Sequence, residues 1–252
     1  MGFDAKSETR LLAAALTTLT RIPAPVGALR ADWLARAAKY FPLVGALVGL
    51  VAGTVLVGAA QLWPQPIPAI LAIVAGLLVT GALHEDGLAD LADSTGVRDR
   101  SRKLSIMKDP RIGAFGAVAL MAALALKAAC LGVLPVPEAA AALVAAAAAS
   151  RLWAVIVMAR SGYAGDRDVA KLDHGIEGPN PSEIALALAF ALVPLLFLDV
   201  GASLAGLACS SVAAALVALP AIRALGGYTG DVLGAVVTAS EVAFLLGAAA
   251  RL

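Results

Sequence analysis

The chain has 252 residues, 61% of them hydrophobic and only 15% charged, with a mean hydropathy of +0.89. Those figures exclude a disordered chain and an ordinary water-soluble domain, and a formal net charge of +1 from 19 Lys+Arg and 18 Asp+Glu excludes a basic nucleic-acid binder. What remains is an all-α polytopic membrane protein, an integral helical bundle in a lipid bilayer.

A spanning helix needs about 20 mostly apolar residues. Segment 1–41 reads as cytoplasmic or interfacial: Met1–Arg10 is polar with no cleavable-signal pattern, and Leu11–Leu19 is too short to span. Pro42–Leu62 is the first predicted span, with Gly45, Gly49 and Gly53 spaced for close helix packing. Ile67–Leu83 follows, a little short. Segment 84–111 is charged and polar. Ile112–Leu134, Ala139–Met158, Ile184–Leu198 (the shortest), Ala202–Ile222 and Val232–Ala250 complete the set. The prediction is six to seven transmembrane helices in a single membrane-embedded domain, 1–252. Cys130 and Cys209 lie in apolar runs and read as buried free thiols.

Charge sorts to one side. Of the 19 Lys and Arg, 16 fall before Pro42, in 84–111, in 160–183 or at Arg223. The turns Trp63–Pro66, Pro135–Glu138 and Asp199–Gly201 carry none. The positive-inside rule then puts the N-terminus and these segments in the cytoplasm. Most acids follow: Glu85, Asp86, Asp90, Asp93, Asp99, Asp109, Asp166, Asp168, Asp173, Glu177 and Asp231. Lys127, Arg151 and Glu241 lie within predicted spans, and an intramembrane charge needs a partner. Polar chemistry gathered at one face favours an enzyme with a cytoplasmic-facing active site over a transporter.

The segment His84-Glu85-Asp86-Gly87-Leu88-Ala89-Asp90-Leu91-Ala92-Asp93 is the most informative. Asp86, Asp90 and Asp93 are spaced i, i+4, i+7. If the second span continues as a helix, they share one face. Like charges on one stripe repel, and a divalent cation offsets that repulsion. All-oxygen ligation suits Mg²⁺ or Mn²⁺, and Mg²⁺ commonly combines one or two carboxylates with substrate phosphates. A solvated acidic face is the plainer alternative. His84 lies roughly opposite Asp86 and reads as a general base or a hydrogen-bond donor, or as structural.

Downstream, Lys108 and Arg111 suit phosphate oxygens. Asp109 either completes a metal shell or orients Arg111. Pro110 stops a helix, and Gly113 and Gly116 open the next span, whose N-terminus would meet an anion. Near the other end of the chain, Gly226, Gly227 and Gly230 flank Tyr228 and Thr229 in a predicted ligand-facing turn. Asp231 then begins the last span, either as a site residue or as a helix N-cap.

These blocks resemble the cobalamin synthase family, the adenosylcobinamide-GDP ribazoletransferases. Leu19-Thr20-Arg21-Ile22-Pro23 and Tyr40-Phe41-Pro42-Leu43-Val44-Gly45 look like its early blocks. The acidic motif from His84 to Asp93, Met107 to Gly113, and Gly226 to Asp231 follow in the family's order. The chain departs from the pattern at Glu85, Leu91 and Pro110, and matches poorly over 160–181. No proposed ligand is lost.

The resemblance implies transfer of the adenosylcobinamide-phosphate moiety of adenosylcobinamide-GDP to α-ribazole or its 5′-phosphate. The products are adenosylcobalamin or its 5′-phosphate, and GMP. It implies Mg²⁺ held by Asp86, Asp90 and Asp93, with Asp109 joining, and a proton taken by a cluster carboxylate or by His84. Arg21, Lys108, Asp109, Arg111, Tyr228 and Asp231 would contact substrate. The expected location is the bacterial cell inner membrane, and a homo-oligomer is compatible with it. Rival readings are a CDP-alcohol phosphotransferase, a prenyltransferase and a transporter.

Overall fold

The computed structural model describes residues 5–27, 32–165 and 178–250. Arg30, Asp166, Arg167, Asp168, Lys171, Asp173, Glu177, Arg251 and the middle of loop 160–183 lie outside the described residues. Helix α1 covers Ala5–Leu19. Helix α2 (Trp33–Ala37), a 3₁₀ turn at Ala38–Tyr40 and α3 (Phe41–Ala59) run on as one largely apolar stretch. Then come α4 (Ile67–Thr80), α5 (Leu83–Asp93), α6 (Arg100–Met107), α7 (Ala114–Val133) and α8 (Val136–Arg160). A 12-residue α9 (Pro181–Leu192) leads into a 3₁₀ segment, Val193–Phe197. Helices α10 (Val200–Leu225) and α11 (Gly230–Ala248) close the bundle.

Five helical stretches are long and apolar enough to cross a membrane, or six if the bent pair α4 and α5 counts as one. Two differences from the sequence reading account for this number. The second predicted span does not continue through the acidic motif. It ends at Thr80, and α5 leaves at 90° to α4. The 184–198 stretch breaks into a short helix and a 3₁₀ turn because Pro194 cannot continue the α-helical hydrogen-bond ladder.

Helix α8 is the central pillar. Ala142, Ala145, Ala146, Ala148 and Ala149 are fully buried along it. In lipid there is no hydrophobic drive between helices, so close van der Waals packing of small residues holds them together. Helix α3 meets α8 through its glycines: a Cβ on Gly49 would sit 2.6 Å from Val144 Cα, and one on Gly45 would collide with the Ala147 carbonyl. Helix α10 meets α11 the same way, where a Cβ on Gly247 would strike the Ala205 carbonyl. Cys130 is buried as expected, but Cys209 is exposed on α10.

The connections gather at one end. Arg100 on α6 donates to the Leu225 carbonyl at the end of α10 (2.7 Å) and to the Ala164 carbonyl after α8 (2.9 Å). Tyr228 N–H donates to the Gly162 carbonyl at 2.9 Å. Segment 84–111, the start of 160–183 and the turn after Arg223 therefore meet at a common end of the bundle. The α3/α8 seam is testable. Gly49→Val should destabilise by about 1–3 kcal/mol through overpacking, whereas Gly58→Val, with nothing within 4 Å of its Cβ, should be near neutral in thermal melts.

Candidate active site

The acidic helix is aimed by its hinge. Gly81 (φ +68°) and Ala82 (φ +59°) both sit in the left-handed region, which turns the chain sharply between α4 and α5. An Ala there costs about 1–2 kcal/mol, and Ala82 is the only such non-glycine among the described residues. Arg21 braces the corner. Its N–H donates to the Val79 carbonyl (2.8 Å), and its side chain fills the space a Gly81 Cβ would need.

Helix α5 then packs against the start of α11. A Cβ on Gly87 would come within 2.7 Å of the Asp231 carbonyl, and one on Gly234 within 3.2 Å of the His84 carbonyl. That close crossing sets Asp231 beside Asp86 and Asp90. Burial first, then charge repulsion from Asp86, Asp231 and Asp93, together raise the Asp90 carboxyl to about 6. Thr229 caps α11 through Val232 N–H at 3.3 Å, so Asp231 is not the N-cap.

A cavity of about 220 Å³ is lined by Asp86 and Asp90 on one side and Lys108, Asp109, Pro110 and Arg111 on the other. It shares the 108–111 loop with a larger cleft of about 780 Å³ that reaches Arg100, Ser101 and Ser105. Arg111 is 86% exposed and grips Asp109 through both carboxylate oxygens, at 2.9 and 2.6 Å. That grip holds the Asp109 carboxyl down at about 2. Asp109 orients Arg111.

Asp93 is also committed. Its oxygens accept N–H bonds from Gly113 (2.7 Å) and Gly116 (2.8 Å), the N-cap and third residue of α7. A helix N-terminus attracts an anion, and here that anion is the carboxylate of Asp93. Both glycines are needed, because a Cβ at either would collide with the Asp93 side chain.

Two expected site residues face elsewhere. His84 is 4% exposed and points into the bundle, with Nδ1 3.4 Å from Arg151 Nη2. Tyr228 is buried, and its ring meets Tyr163 edge-on at 5.6 Å. It pins the turn before α11 and does not line the acidic cavity.

Sequence reasoning assigned no role to Arg100 or Lys103. Lys103 Nζ donates to the Ser94 carbonyl at 2.8 Å, tying α6 to the end of α5. Nothing in the spacing separates these two from the other loop cations.

The family model for cobalamin-5-phosphate synthase matches residues 11–249. The chain belongs to that family. Among its relatives are proteins named adenosylcobinamide-GDP ribazoletransferase. The one from Shewanella amazonensis is 41% identical, covering 91% of each chain. The one from Leptothrix cholodnii is 40% identical over 95% of each. A third, from Azorhizobium caulinodans, is 40% identical over 95% of this chain and 96% of its own. No solved structure matches.

In this member of the cobalamin-5-phosphate synthase family, no three His, Cys, Asp or Glu side chains among the described residues converge into a ready-made metal cage. Two cavity-facing carboxylates, Asp86 and Asp90, sit opposite cations. That donor set fits Mg²⁺, which keeps several waters and takes phosphate oxygens as further ligands.

The raised Asp90 carboxyl gives a signed prediction. Its ionised form is penalised in the folded state, so the penalty is full above about pH 6 and gone below the ordinary value of 3.8. In EDTA, melting temperature should rise as pH falls from 7 to 5 by the share Asp90 contributes. Asp90→Asn should remove that share, and thermal melts across the range would read it.

Proposed function

We propose that this chain transfers the adenosylcobinamide-phosphate moiety of adenosylcobinamide-GDP to α-ribazole or its 5′-phosphate, releasing GMP. The observation that carries this reading is the cavity that sets Asp86 and Asp90 against Lys108 and Arg111. A diphosphate needs both signs: carboxylates to hold its metal and cations to take its charge. The names of the relatives support the substrate assignment.

The cofactor this donor set would take is Mg²⁺, which Asp86 and Asp90 would hold, with Asp231 facing them from α11. When bound, it neutralises the diphosphate oxygens and makes the phosphorus more electrophilic. The other steps belong to the side chains. Arg111 exchanges Asp109 for phosphate oxygens, keeping its bidentate geometry. Lys108 and Arg111 then stabilise the charge that grows on departing GMP. The incoming ribose hydroxyl forms the new P–O bond as the P–O bond to GMP breaks. Its proton passes to a carboxylate of the cluster. Arg21 braces the hinge at the site's edge, and Asp93 holds the end of the loop at Gly113, where α7 begins. Positioning and charge neutralisation suffice for such a transfer, with no covalent intermediate.

The site faces the cytoplasm of a bacterial inner membrane, where the excess of Lys and Arg on the connecting segments supports this orientation. The transporter reading loses its main support. Its candidate mid-membrane charges, Lys127, Arg151 and Glu241, are paired with one another.

The deciding assay uses the purified chain in lipid with Mg²⁺ and both substrates, and measures GMP release. Asp86→Ala and Asp90→Ala should each lose more than the roughly 10–100-fold typical of outer-shell changes. Near-wild-type turnover in both would remove the metal assignment. No GMP from the wild type would remove the reaction. For sidedness, Thr95→Cys, exposed just beyond α5, should react with an impermeant thiol reagent only from the cytoplasmic side. Labelling only from outside would invert the topology.

A further inference from the structure

Beneath the acidic helix lies a cluster of buried charges that the proposed chemistry does not use. Glu241 on α11 bonds Lys127 Nζ from α7 at 2.7 Å, and its second oxygen takes Arg151 Nη1 from α8. Glu85 on α5 lies 4.0 Å from Lys127. Arg151 Nη1 also donates to the Ala147 carbonyl (3.2 Å) and to Ser150 Oγ (3.1 Å). Its Nη2 reaches His84 Nδ1. Two cations and two carboxylates balance if His84 is neutral.

The tautomer of His84 follows from its partner. A guanidinium has donors and no acceptor, so His84 Nδ1 must accept. The ring proton then sits on Nε2, which is buried and has no hydrogen-bond partner among the described residues. Neither nitrogen is directed to the cavity holding Asp86 and Asp90, whose lining does not include His84. Yet His84 lies two residues before Asp86, half a turn away on the same helix.

We propose that His84 is a positioning residue, with Arg151 as its anchor: the Arg151–His84 bond sets the rotation of α5 about its axis and so the facing of Asp86 and Asp90. The ring serves as a hydrogen-bond acceptor and takes no proton from substrate. Glu241 and Lys127 hold Arg151 in place, and Glu85 gives α5 a second tie to the same cluster. The proposal rests on Asp86 and Asp90 being the metal-holding pair.

The test compares His84→Asn, His84→Gln and His84→Ala in lipid, with two readouts: the rise in melting temperature caused by Mg²⁺ alone, and Mg²⁺-dependent GMP release. Asn places a carbonyl oxygen where Nδ1 stood but has no basic nitrogen. It should retain both the Mg²⁺-induced rise and turnover. Gln carries its carbonyl one bond too far, and Ala has no acceptor. Both should lose about 10–100-fold in turnover and need more Mg²⁺. Equal loss in the Asn and Gln variants would overturn the proposal in favour of a base, and an Ala variant like the wild type would overturn it outright. If Ala does not fold, the Asn–Gln comparison stands alone. A wild type stabilised by Mg²⁺ but releasing no GMP would sink the transfer reaction, while the melting data would still decide the role of His84.

Discussion

A charge inside a membrane-embedded bundle must find its opposite, and Arg151, Glu241 and Lys127 do so across three helices. The cost of leaving one buried charge unpaired is about 3–5 kcal/mol, a large fraction of a typical domain's stability. That penalty fixes the relative depth of α7, α8 and α11. A slip by one turn would move partners apart by about 5.4 Å and strand all three. The Ala-rich face of α8 and the glycines of α3 are the conditions for this pairing, since only small residues let the backbones close in. The end that carries the acidic cavity is built on that frame.

At that end, each ionisable group is placed by a backbone feature. The left-handed pair Gly81–Ala82 swings α5 across the ends of the other helices. The bare backbone at Gly87 lets it lie against the start of α11. Carboxylates far apart in the chain, Asp86 and Asp90 with Asp231, thus meet beside the 108–111 loop. Asp109 offsets the charge of Arg111, so the loop faces the acids with one net positive charge, that of Lys108.

Much of this was legible in the residues. Apolar lengths located the long helices, loop charge located the end that carries the acidic cavity, and the i, i+4, i+7 spacing singled out Asp86, Asp90 and Asp93. The bend was not legible. Ala82 carries no turn signal, yet its backbone is left-handed. The fate of Asp93 was hidden too: its partners, the N–H groups of Gly113 and Gly116, are 20 and 23 residues away. The capping pattern that local reasoning detects runs within a few residues. His84 shows the limit of helical-wheel arguments. Its angle opposite Asp86 was readable, but what waited on that side, a guanidinium from α8, was not. Glu85, a departure from the family pattern, finds its reason only in space, facing Lys127.

The tie between Asp93 and the start of α7 has a mechanical consequence. Helix α5 is 11 residues long, a beam of about 16 Å, and it is clamped at both ends: His84 on the guanidinium of α8, Asp93 on the backbone of α7. A beam held this way has little torsional freedom. Asp86 and Asp90 lie between the clamps, and Asp90 cannot turn away from the Asp231 carboxylate on α11. Negative potential therefore stays concentrated at one spot until a proton or a cation arrives from outside.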